Sequence, residues 1–579
     1  MNNKLEKVLS TLEAGKPKQA LILVKKLNQN KKLRTYHSFL AEALCHIELG
    51  FIERGKELLD QYYFTAANPE ALFSAANNIF RASVKSKKPL LAIPYLLYAI
   101  ENLSTRQAIP LRYCLAKCYQ ESRDFQLAVE ILKALLVYKD YTLKCLNRLT
   151  AIGIVLSDFD MVQKYLKLMH GYIDQLDLNN LKVLIDRSEL HLDTNVEPLL
   201  NRAKNMGCED NFISYMQARI EFKKNNPRLA MNKLESLNPD MFSSLNLKLG
   251  YFNLLGKVQL ALKNVDASFS SFEKMNHFMA SHFPDNWTSY NILPELKAIG
   301  PLVKRKLRYT QPIKLSFLIG FPRSGTTLLE HVLDSQKGIF ALGEKYTIDA
   351  VIQKIVDDGF QYPSDLNNLS DAYVDELREL YFYHVEKYLG DKTFQDYQIL
   401  LDKNPQLLMK LPILLTLFPD AKILLSIRHP LDCILSCFQQ NFHYRRNLAY
   451  FTDWQLSFER YRDVFDNYMA YREVMQWQEC RVHYDELTSD FAENVERSLE
   501  FLGIDVDKES YLNFNEQSKK TIITTPSINQ VKQGIYHKKA FNWESHVKYI
   551  IPHWDKVRHH IEYFGYSTEL IEKAIQEVE

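Results

Sequence analysis

Helical segments recur at a nearly constant spacing in the first half of the sequence. In each copy a polar turn leads into a helix that opens with a small or β-branched residue. The anchor residues Ala128 and Val162 are 34 positions apart, and Ala230 lies twice that distance beyond Val162, with Val196 between them. Helix pairs on such a period cannot bury their apolar faces alone, so neighbouring pairs must stack into one continuous core.

Looser copies continue the pattern toward the N-terminus, at Ala20, Gly55 and Ala92. A repeat of this length with paired amphipathic helices resembles the tetratricopeptide repeat, and an unrelated helical bundle with accidental spacing is the alternative. The resemblance implies an N-terminal α-solenoid over residues 1–300 that can recruit a protein partner. A stretch punctuated by proline and glycine, from Pro294 to Pro312, is the predicted junction.

The second half has a different sequence pattern, in which short apolar runs alternate with segments of helical periodicity. Strands are predicted at 314–320, 421–427 and 481–484, and the first two lead into helices. This alternation predicts a multidomain α plus α/β protein whose second domain, residues 312–570, is a P-loop-type α/β fold with a parallel sheet. Ligands of such sheets bind beyond the carboxyl ends of the strands.

Composition excludes several classes of protein. Lys and Arg number 72 against 70 Asp and Glu, a formal charge of +2, so the chain is not generally basic and no nucleic-acid partner is expected. Apolar runs are shorter than the ~18 residues of a membrane span, and the first residues contain no signal core. Eight cysteines are too few for a disulfide framework. We expect a cytoplasmic protein with free thiols, without a metal site or a membrane partner.

The turn after the first predicted strand has the outline of a phosphate-binding loop. It contains Arg323, Ser324, Gly325, Thr326 and Thr327, and the Walker lysine position is occupied by Thr326. Backbone N–H groups, the helix N-terminus and the hydroxyls can still bind an anion. The loop suits a phosphate on a nucleotide better than a magnesium-bound triphosphate, which argues against a P-loop kinase.

A second candidate anion site follows the strand at 421–427. Arg428 comes directly after that strand, and Ser436 lies on the polar face of the helix predicted from Leu431 to about Phe442. Both side chains can bind one phosphate, although a surface salt bridge and a solvated serine are the alternative. Tyr484, at the end of the third predicted strand, is either a core tyrosine or a cofactor contact.

These motifs together resemble the sulfotransferases that use 3′-phosphoadenosine 5′-phosphosulfate (PAPS). Residues 322–329 resemble their 5′-phosphosulfate loop, and residues 428–436 their 3′-phosphate site. The pattern is most similar to the tyrosylprotein sulfotransferase-like group, particularly its members with N-terminal tetratricopeptide repeats. Further motifs follow in that family's order: Gly343–Glu344, Asp402–Pro405, Ser436–Phe442, Tyr484–Leu487 and Ser527–Val531.

The resemblance implies roles for individual residues. Glu344 corresponds to the catalytic base, Lys403 to the lysine that stabilises the transition state, and Ser527 to a serine that assists it and contacts the cofactor. Gln530 falls in the same cofactor-covering segment, and no metal is required. Two histidines, His429 and His443, are weaker candidates for the base.

Two positions depart from the family pattern. Asn542 precedes the late tryptophan where a basic residue is usual, and Lys538 or Lys539 lies close enough in sequence to replace it. Gln440 stands where the tyrosylprotein enzymes carry another basic residue. Both departures concern how the cofactor is held.

The sequence therefore predicts a PAPS-dependent sulfotransferase acting on a hydroxyl acceptor, with protein tyrosine as one candidate acceptor. A peptide, a glycan or a small phenol would each fit, and the repeats would recruit a partner protein or the acceptor. The alternative is a catalytically inactive repeat scaffold that binds nucleotide.

Overall fold

The computed structural model describes residues 3–30, 35–65, 68–192, 195–242, 244–282, 294, 298–389, 392–442, 446–514 and 542–578. It divides into two compact units, Met1–Asp174 and Gln175–Glu579. The described part of the first unit is helical, and the second unit contains further helices together with a β-sheet. This division falls before residue 300, so the last helices of the helical region belong to the same compact unit as the sheet. The domain limits given by the sequence, 1–300 and 312–570, stay a prediction.

The helices before residue 283 are amphipathic and follow one another across short turns. Their bounds are α1 Asn3–Glu13, α2 Pro17–Gln29, α3 Tyr36–Glu48, α4 Ile52–Tyr62, α5 Pro69–Lys85, α6 Ile93–Asn102, α7 Thr105–Glu121, α8 Phe125–Leu135, α9 Lys139–Leu156, α10 Phe159–His170, α11 Leu178–His191, α12 Glu197–Asn205, α13 Asp210–Lys223, α14 Pro227–Glu235, α15 Leu245–Ala261 and α16 Val265–Ala280.

The anchors of the repeat are buried where one helix crosses its neighbour. Ala20, Ala128, Val162 and Ala230 have no exposed surface. A Cβ added at Gly55 would lie 2.6 Å from Ile47 Cγ1, so only glycine permits this approach of α4 to α3. The regular spacing in the sequence thus marks small residues at helix–helix contacts, and the prediction of a helical N-terminal region is confirmed.

The remainder of the second unit alternates strands with helices. Its elements are β1 Lys314–Gly320, α17 Thr326–Asp334, β2 Ile339–Ala341, α18 Ile348–Asp357, α19 Asp371–Glu386, β3 Ile399–Lys403, α20 Leu411–Leu417, β4 Lys422–Ile427, α21 Pro430–Phe438, α22 Trp454–Val474, β5 Glu479–His483, α23 Tyr484–Ser489, α24 Phe491–Leu502, α25 Lys508–Leu512, α26 Val547–Ile550, α27 Arg558–Tyr563 and α28 Glu569–Val578.

The sheet has the strand order β2-β3-β1-β4-β5, and its paired strands are parallel. The central strand β1 is buried from Leu315 to Gly320, as a strand covered on both faces must be. The predicted parallel α/β sheet is confirmed. The strands β2 and β3 were not predicted, because β2 has three residues and the apolar run of β3 gives way to Asp402 and Lys403.

Two sequence-based boundaries are wrong. The helix α21 ends at Phe438 and not near Phe442, because side chains of the helical region bind its last carbonyls. Asn276 Nδ2 donates to the carbonyl of Phe438 at 2.8 Å, and Asn253 Nδ2 donates to that of Gln439 at 2.9 Å. Tyr484 opens the helix α23 and does not end the strand β5.

In the part of the chain that the structure describes, no helix combines the length and the apolar composition that crossing a membrane requires.

Candidate functional site

The candidate site residues lie at the carboxyl edge of the sheet. β1 ends at Gly320 and feeds the phosphate loop, β3 ends at Lys403, and β4 ends one residue before Arg428. Leu318 of β1 is in register with Lys403, and Gly320 is in register with Ser426 of β4. Since parallel strands place their carboxyl ends together, residues distant in sequence meet around the phosphate loop.

The phosphate loop turns sharply through two residues with left-handed backbone. Arg323 has φ 72° and Gly325 has φ 103°. A Cβ at Gly325 would lie 2.5 Å from Cδ2 of Tyr484, so the close packing of this tyrosine requires glycine. Thr326 and Thr327 begin the buried α17, which directs its N-terminus and their backbone N–H groups toward the loop.

The loop contacts the second predicted anion site directly. Arg323 Nε donates a hydrogen bond to Ser436 Oγ at 3.0 Å, and Arg428 Nη1 donates to the carbonyl of Arg323 at 3.5 Å. The Arg428 guanidinium lies 5.0 Å from the ring centre of Tyr484, as in a cation–π contact. The structure therefore brings Arg323, Arg428, Ser436 and Tyr484 into one cluster, the arginine cluster.

A buried carboxylate supports Arg428 from behind. Asp432 Oδ2 lies 3.3 Å from Arg428 Nη2, and Asp432 Oδ1 accepts hydrogen bonds from the backbone of Asn542 and Trp543. Burial raises the pKa of Asp432 to about 6, against the opposing effect of Arg428. Asn542, which occupies the position where the family pattern has a basic residue, thus binds Asp432 through its backbone N–H.

Two buried donors, one in the phosphate loop and one in the arginine cluster, suit an anionic ligand. Ser324 Oγ and Arg428 Nε are both buried and make no hydrogen bond to any residue described. Buried donors normally have partners, because desolvation without a hydrogen bond is costly. Oxygens of a phosphate or phosphosulfate group would supply those partners, so the residues present fit the predicted nucleotide.

A lysine between two carboxylates forms the other end of the site. Lys403 Nζ lies 3.0 Å from Glu330 Oε2 and 3.1 Å from Glu344 Oε1. The side chains of Lys403 and Glu330 are 1% and 8% exposed, whereas that of Glu344 is 32% exposed and so within reach of an acceptor. We call these three residues the lysine cluster; it unites the predicted base with the predicted lysine.

Glu330 is the member of the lysine cluster that no sequence motif indicates. It lies on α17 between the apolar residues Leu329 and Val332 and reads as an ordinary helical glutamate. Burial raises its pKa to about 7; Lys403 lowers it and Glu344 raises it. The one sequence feature that could have indicated Glu330 is its position four residues after Thr326, on the helix that follows the phosphate loop.

The ammonium of Lys403 is held charged by its neighbours. Burial opposes its charge, but Glu330 and Glu344 raise the pKa of Lys403 above its ordinary value. The adjacent His331 has its pKa lowered to about 4 by burial and by Lys403. Lys403 is thus a fixed cation at neutral pH, as stabilising a leaving oxygen requires.

The alternative base, His429, lies in a buried environment that does not suit a general base. Its ring stacks on Trp543 at 5.2 Å between centroids, and 2% of the residue is exposed. Burial and Arg428 lower its pKa to about 3. Its Nδ1 accepts a hydrogen bond from the backbone N–H of Leu431, at the start of the helix that carries Ser436, so His429 belongs to the surroundings of the arginine cluster.

Several predicted residues lie outside the described part of the chain. They are His443, Ser527, Gln530, Lys538 and Lys539. Among the residues described, no group of three or more His, Cys, Asp or Glu side chains is arranged to hold a metal ion. Cys433 and Cys437 are buried free thiols.

The comparison with protein families agrees with this geometry. Residues 316–508 match the family described as the sulfotransferase family. The match begins within β1 and includes the phosphate loop, Glu330, Glu344, Lys403, Arg428, Ser436 and Tyr484. This part of the chain is therefore a sulfotransferase-family domain.

Two curated relatives match parts of the chain. An uncharacterized protein of Aquifex aeolicus is 24% identical over 313 residues, which are 52% of this chain and 40% of the relative. The nodulation protein NoeE of Sinorhizobium fredii is 30% identical over 130 residues, which are 21% of this chain and 31% of the relative. The chain thus spans well under half the length of either relative.

Two solved structures also align. A sulfotransferase domain from the olefin synthase of Synechococcus has 21% identity and a TM-score of 0.26, covering 41% of this chain and 88% of that one. A sulfotransferase from Mycobacterium avium has 12% identity and a TM-score of 0.28, covering 59% of this chain and 97% of that one. TM-scores at this level do not establish a shared fold.

Proposed function

We propose that the chain transfers the sulfuryl group of PAPS to a hydroxyl acceptor. The observation that carries this proposal is the placement of the lysine cluster and the arginine cluster at one sheet edge, with the phosphate loop between them. One cluster suits the phosphates of the donor nucleotide, and the other supplies a base and a fixed cation for the transfer.

Separate residues bind the donor, remove the acceptor proton and stabilise the leaving group. The loop and its helix N-terminus bind the 5′-phosphosulfate, and Arg428 with Ser436 binds the 3′-phosphate. Glu344 takes the acceptor hydroxyl proton as that oxygen bonds to sulfur. The bond between sulfur and the bridging oxygen breaks, and Lys403 meets the charge that remains on adenosine 3′,5′-bisphosphate.

We assign protein tyrosine as the first acceptor to test, because a partly exposed glutamate suits removal of a phenolic proton and the helical region can hold a peptide. The helical region would act as a tetratricopeptide-like solenoid that binds the acceptor or a partner protein. We also propose a cytoplasmic location.

The test is sulfate transfer from ³⁵S-labelled PAPS to a panel of tyrosine peptides, glycans and small phenols. Transfer that disappears in Lys403→Ala and Glu344→Gln supports the proposal. Absence of transfer to every acceptor, with intact binding of adenosine 3′,5′-bisphosphate, would instead favour the inactive nucleotide-binding scaffold. Tight magnesium-dependent ATP binding without bisphosphate binding would overturn both functions.

A further inference from the structure

Lys257 is a cation of the helical region that lies near the arginine cluster. It belongs to α15, is partly buried, and makes no ion pair with any residue described. The charged groups that act on it are Arg323 of the phosphate loop and Arg219 of α13. Arg219 is already paired with Asp186 and Glu189 of α11, so those carboxylates are engaged elsewhere.

The direction of Lys257 follows from the contacts of its own helix. Asn253 lies four residues earlier, hence on the same face of α15, and donates to the carbonyl of Gln439 at 2.9 Å. Ser436, the partner of Arg323, lies three residues before Gln439 along the chain. The face of α15 that carries Lys257 is thus the face applied to the end of α21, beside the arginine cluster.

Aromatic packing fixes this contact between α16 and the sheet domain. Phe269 stacks on Phe438 at 5.3 Å and on Tyr549 at 3.8 Å between ring centres. Asn276 adds a buried hydrogen bond to the carbonyl of Phe438. Since α15 and α16 form one antiparallel pair, Lys257 is held in place by a packed interface and not by a surface contact.

Charge at this place is unbalanced. Arg323, Arg428 and Lys257 bring three cations, against two carboxylates: Asp432 pairs with Arg428, and Asp485 also acts on Arg428. The helix α21 itself contains no basic residue. Burial, then Arg323 and Arg219, lower the pKa of Lys257 to about 8. A surplus of partly desolvated positive charge is costly until an anion neutralises it.

We propose that Lys257 binds the 3′-phosphate of the donor nucleotide, so that the helical region completes the donor site. This inference rests on the proposed function. The phosphate would lie between Arg428 and Ser436 of the sheet domain and Lys257 of α15. Lys257 supplies the cation that α21 and the uncharged Gln440 after it do not.

The proposal predicts that nucleotide binding is coupled to proton uptake. With a pKa of about 8, part of the Lys257 side chains are neutral at pH 8.5 in the free protein. A phosphate monoester is a dianion at that pH and stabilises the ammonium form. Binding should therefore draw a proton from the buffer at pH 8.5. An arginine at this position is always charged and would draw none.

The experiment is calorimetric titration with adenosine 3′,5′-bisphosphate and with adenosine 5′-monophosphate, which lacks the 3′-phosphate. Lys257→Met keeps the length of the side chain and should weaken bisphosphate binding by about 10- to 100-fold, with a much smaller change for the monophosphate. Lys257→Arg should retain affinity but lose proton uptake, measured at pH 8.5 in two buffers of different ionisation enthalpy.

The matched control is Lys248→Met. Lys248 lies on the opposite face of α15, where it pairs with Asp240 at 2.8 Å, and its loss should leave both affinities unchanged. Thermal melting confirms that each variant is folded. Unchanged bisphosphate affinity in Lys257→Met, or an equal loss for both nucleotides, overturns the inference while the proposed function stands. Failure of the wild-type chain to bind the bisphosphate overturns both.

Discussion

The two ends of the candidate site have opposite charge balance. In the lysine cluster one ammonium lies between two carboxylates, Glu330 and Glu344. At the arginine cluster the three cations Arg323, Arg428 and Lys257 outnumber the carboxylates of Asp432 and Asp485. Both clusters are built on the same sheet edge, from residues that end a strand or follow one of the five strands.

This difference indicates a division of labour. A cluster with surplus carboxylate can accept a proton and still keep its cation charged. A cluster with surplus cation and unused donors is prepared to bind an anion that stays bound throughout the reaction. Substitutions at the lysine cluster should therefore change turnover, and those at the arginine cluster should change affinity.

The largest expected effect is that of Glu344→Gln. This change keeps the shape of the side chain but removes the base, and general-base catalysis is typically worth about 10²–10⁴ in rate. Turnover should fall by that factor while bisphosphate affinity stays close to wild type. With a phenolic acceptor, raising the pH toward the phenol pKa of about 10 should restore part of the rate. Wild-type turnover under conditions where chemistry limits the rate would place the base elsewhere.

Lys403→Ala should slow turnover by about 10²–10³, because the leaving oxygen loses its cation. High pH should not restore this variant as it restores Glu344→Gln, since the missing group is a charge and not a base. Single-turnover rates across pH 6 to pH 10, measured side by side, distinguish the two variants. Parallel pH profiles would mean that both residues act in the same step on the acceptor.

Arg428→Ala should weaken bisphosphate binding by about 1.5–3 kcal/mol, the typical loss for a hydrogen bond to a charged group. The variant also leaves the buried Asp432 without its partner, so Arg428→Lys serves as the charge-preserving control. Calorimetry at fixed salt measures the loss. If affinity is unchanged and turnover alone falls, the division between the two clusters is wrong.

The smallest expected effect is on stability, in Glu330→Gln. Burial raises the folded-state pKa of Glu330 to about 7, so the folded protein binds more protons here than the unfolded chain between the ordinary glutamate pKa and about 7. This contribution to stability is present at low pH and is lost as pH rises through about 7. The glutamine variant lacks it, so its melting temperature should rise relative to wild type between pH 5 and pH 8.

A shift of a few degrees is expected for Glu330→Gln. The control is Glu330→Asp, which keeps a titrating carboxyl. A constant difference between the melting temperatures of Glu330→Gln and wild type across this pH range would show that Glu330 does not titrate there.

Much of the fold could be read from local patterns. The anchors of the helical repeat, such as Ala128 and Val162, are small or β-branched because helices touch there, and this signal lies within one helix pair. β1 and β4 were found because their apolar runs are bounded by loops. β3 is not evident in the sequence, because its apolar run ends after three residues at Asp402 and Lys403. Both of these polar residues are nevertheless buried in the folded protein.

The sequence by itself determined the phosphate loop and the types of residue that follow each strand. Only the tertiary structure decided which polar and charged groups contact one another. Asn253 and Gln439 meet across 186 positions, and Lys403 reaches Glu344 across 59. Periodicity and turn chemistry act over a few residues and are therefore visible in the sequence. The partner of a buried charge depends on which strands and helices pack side by side, and a single sequence does not record this.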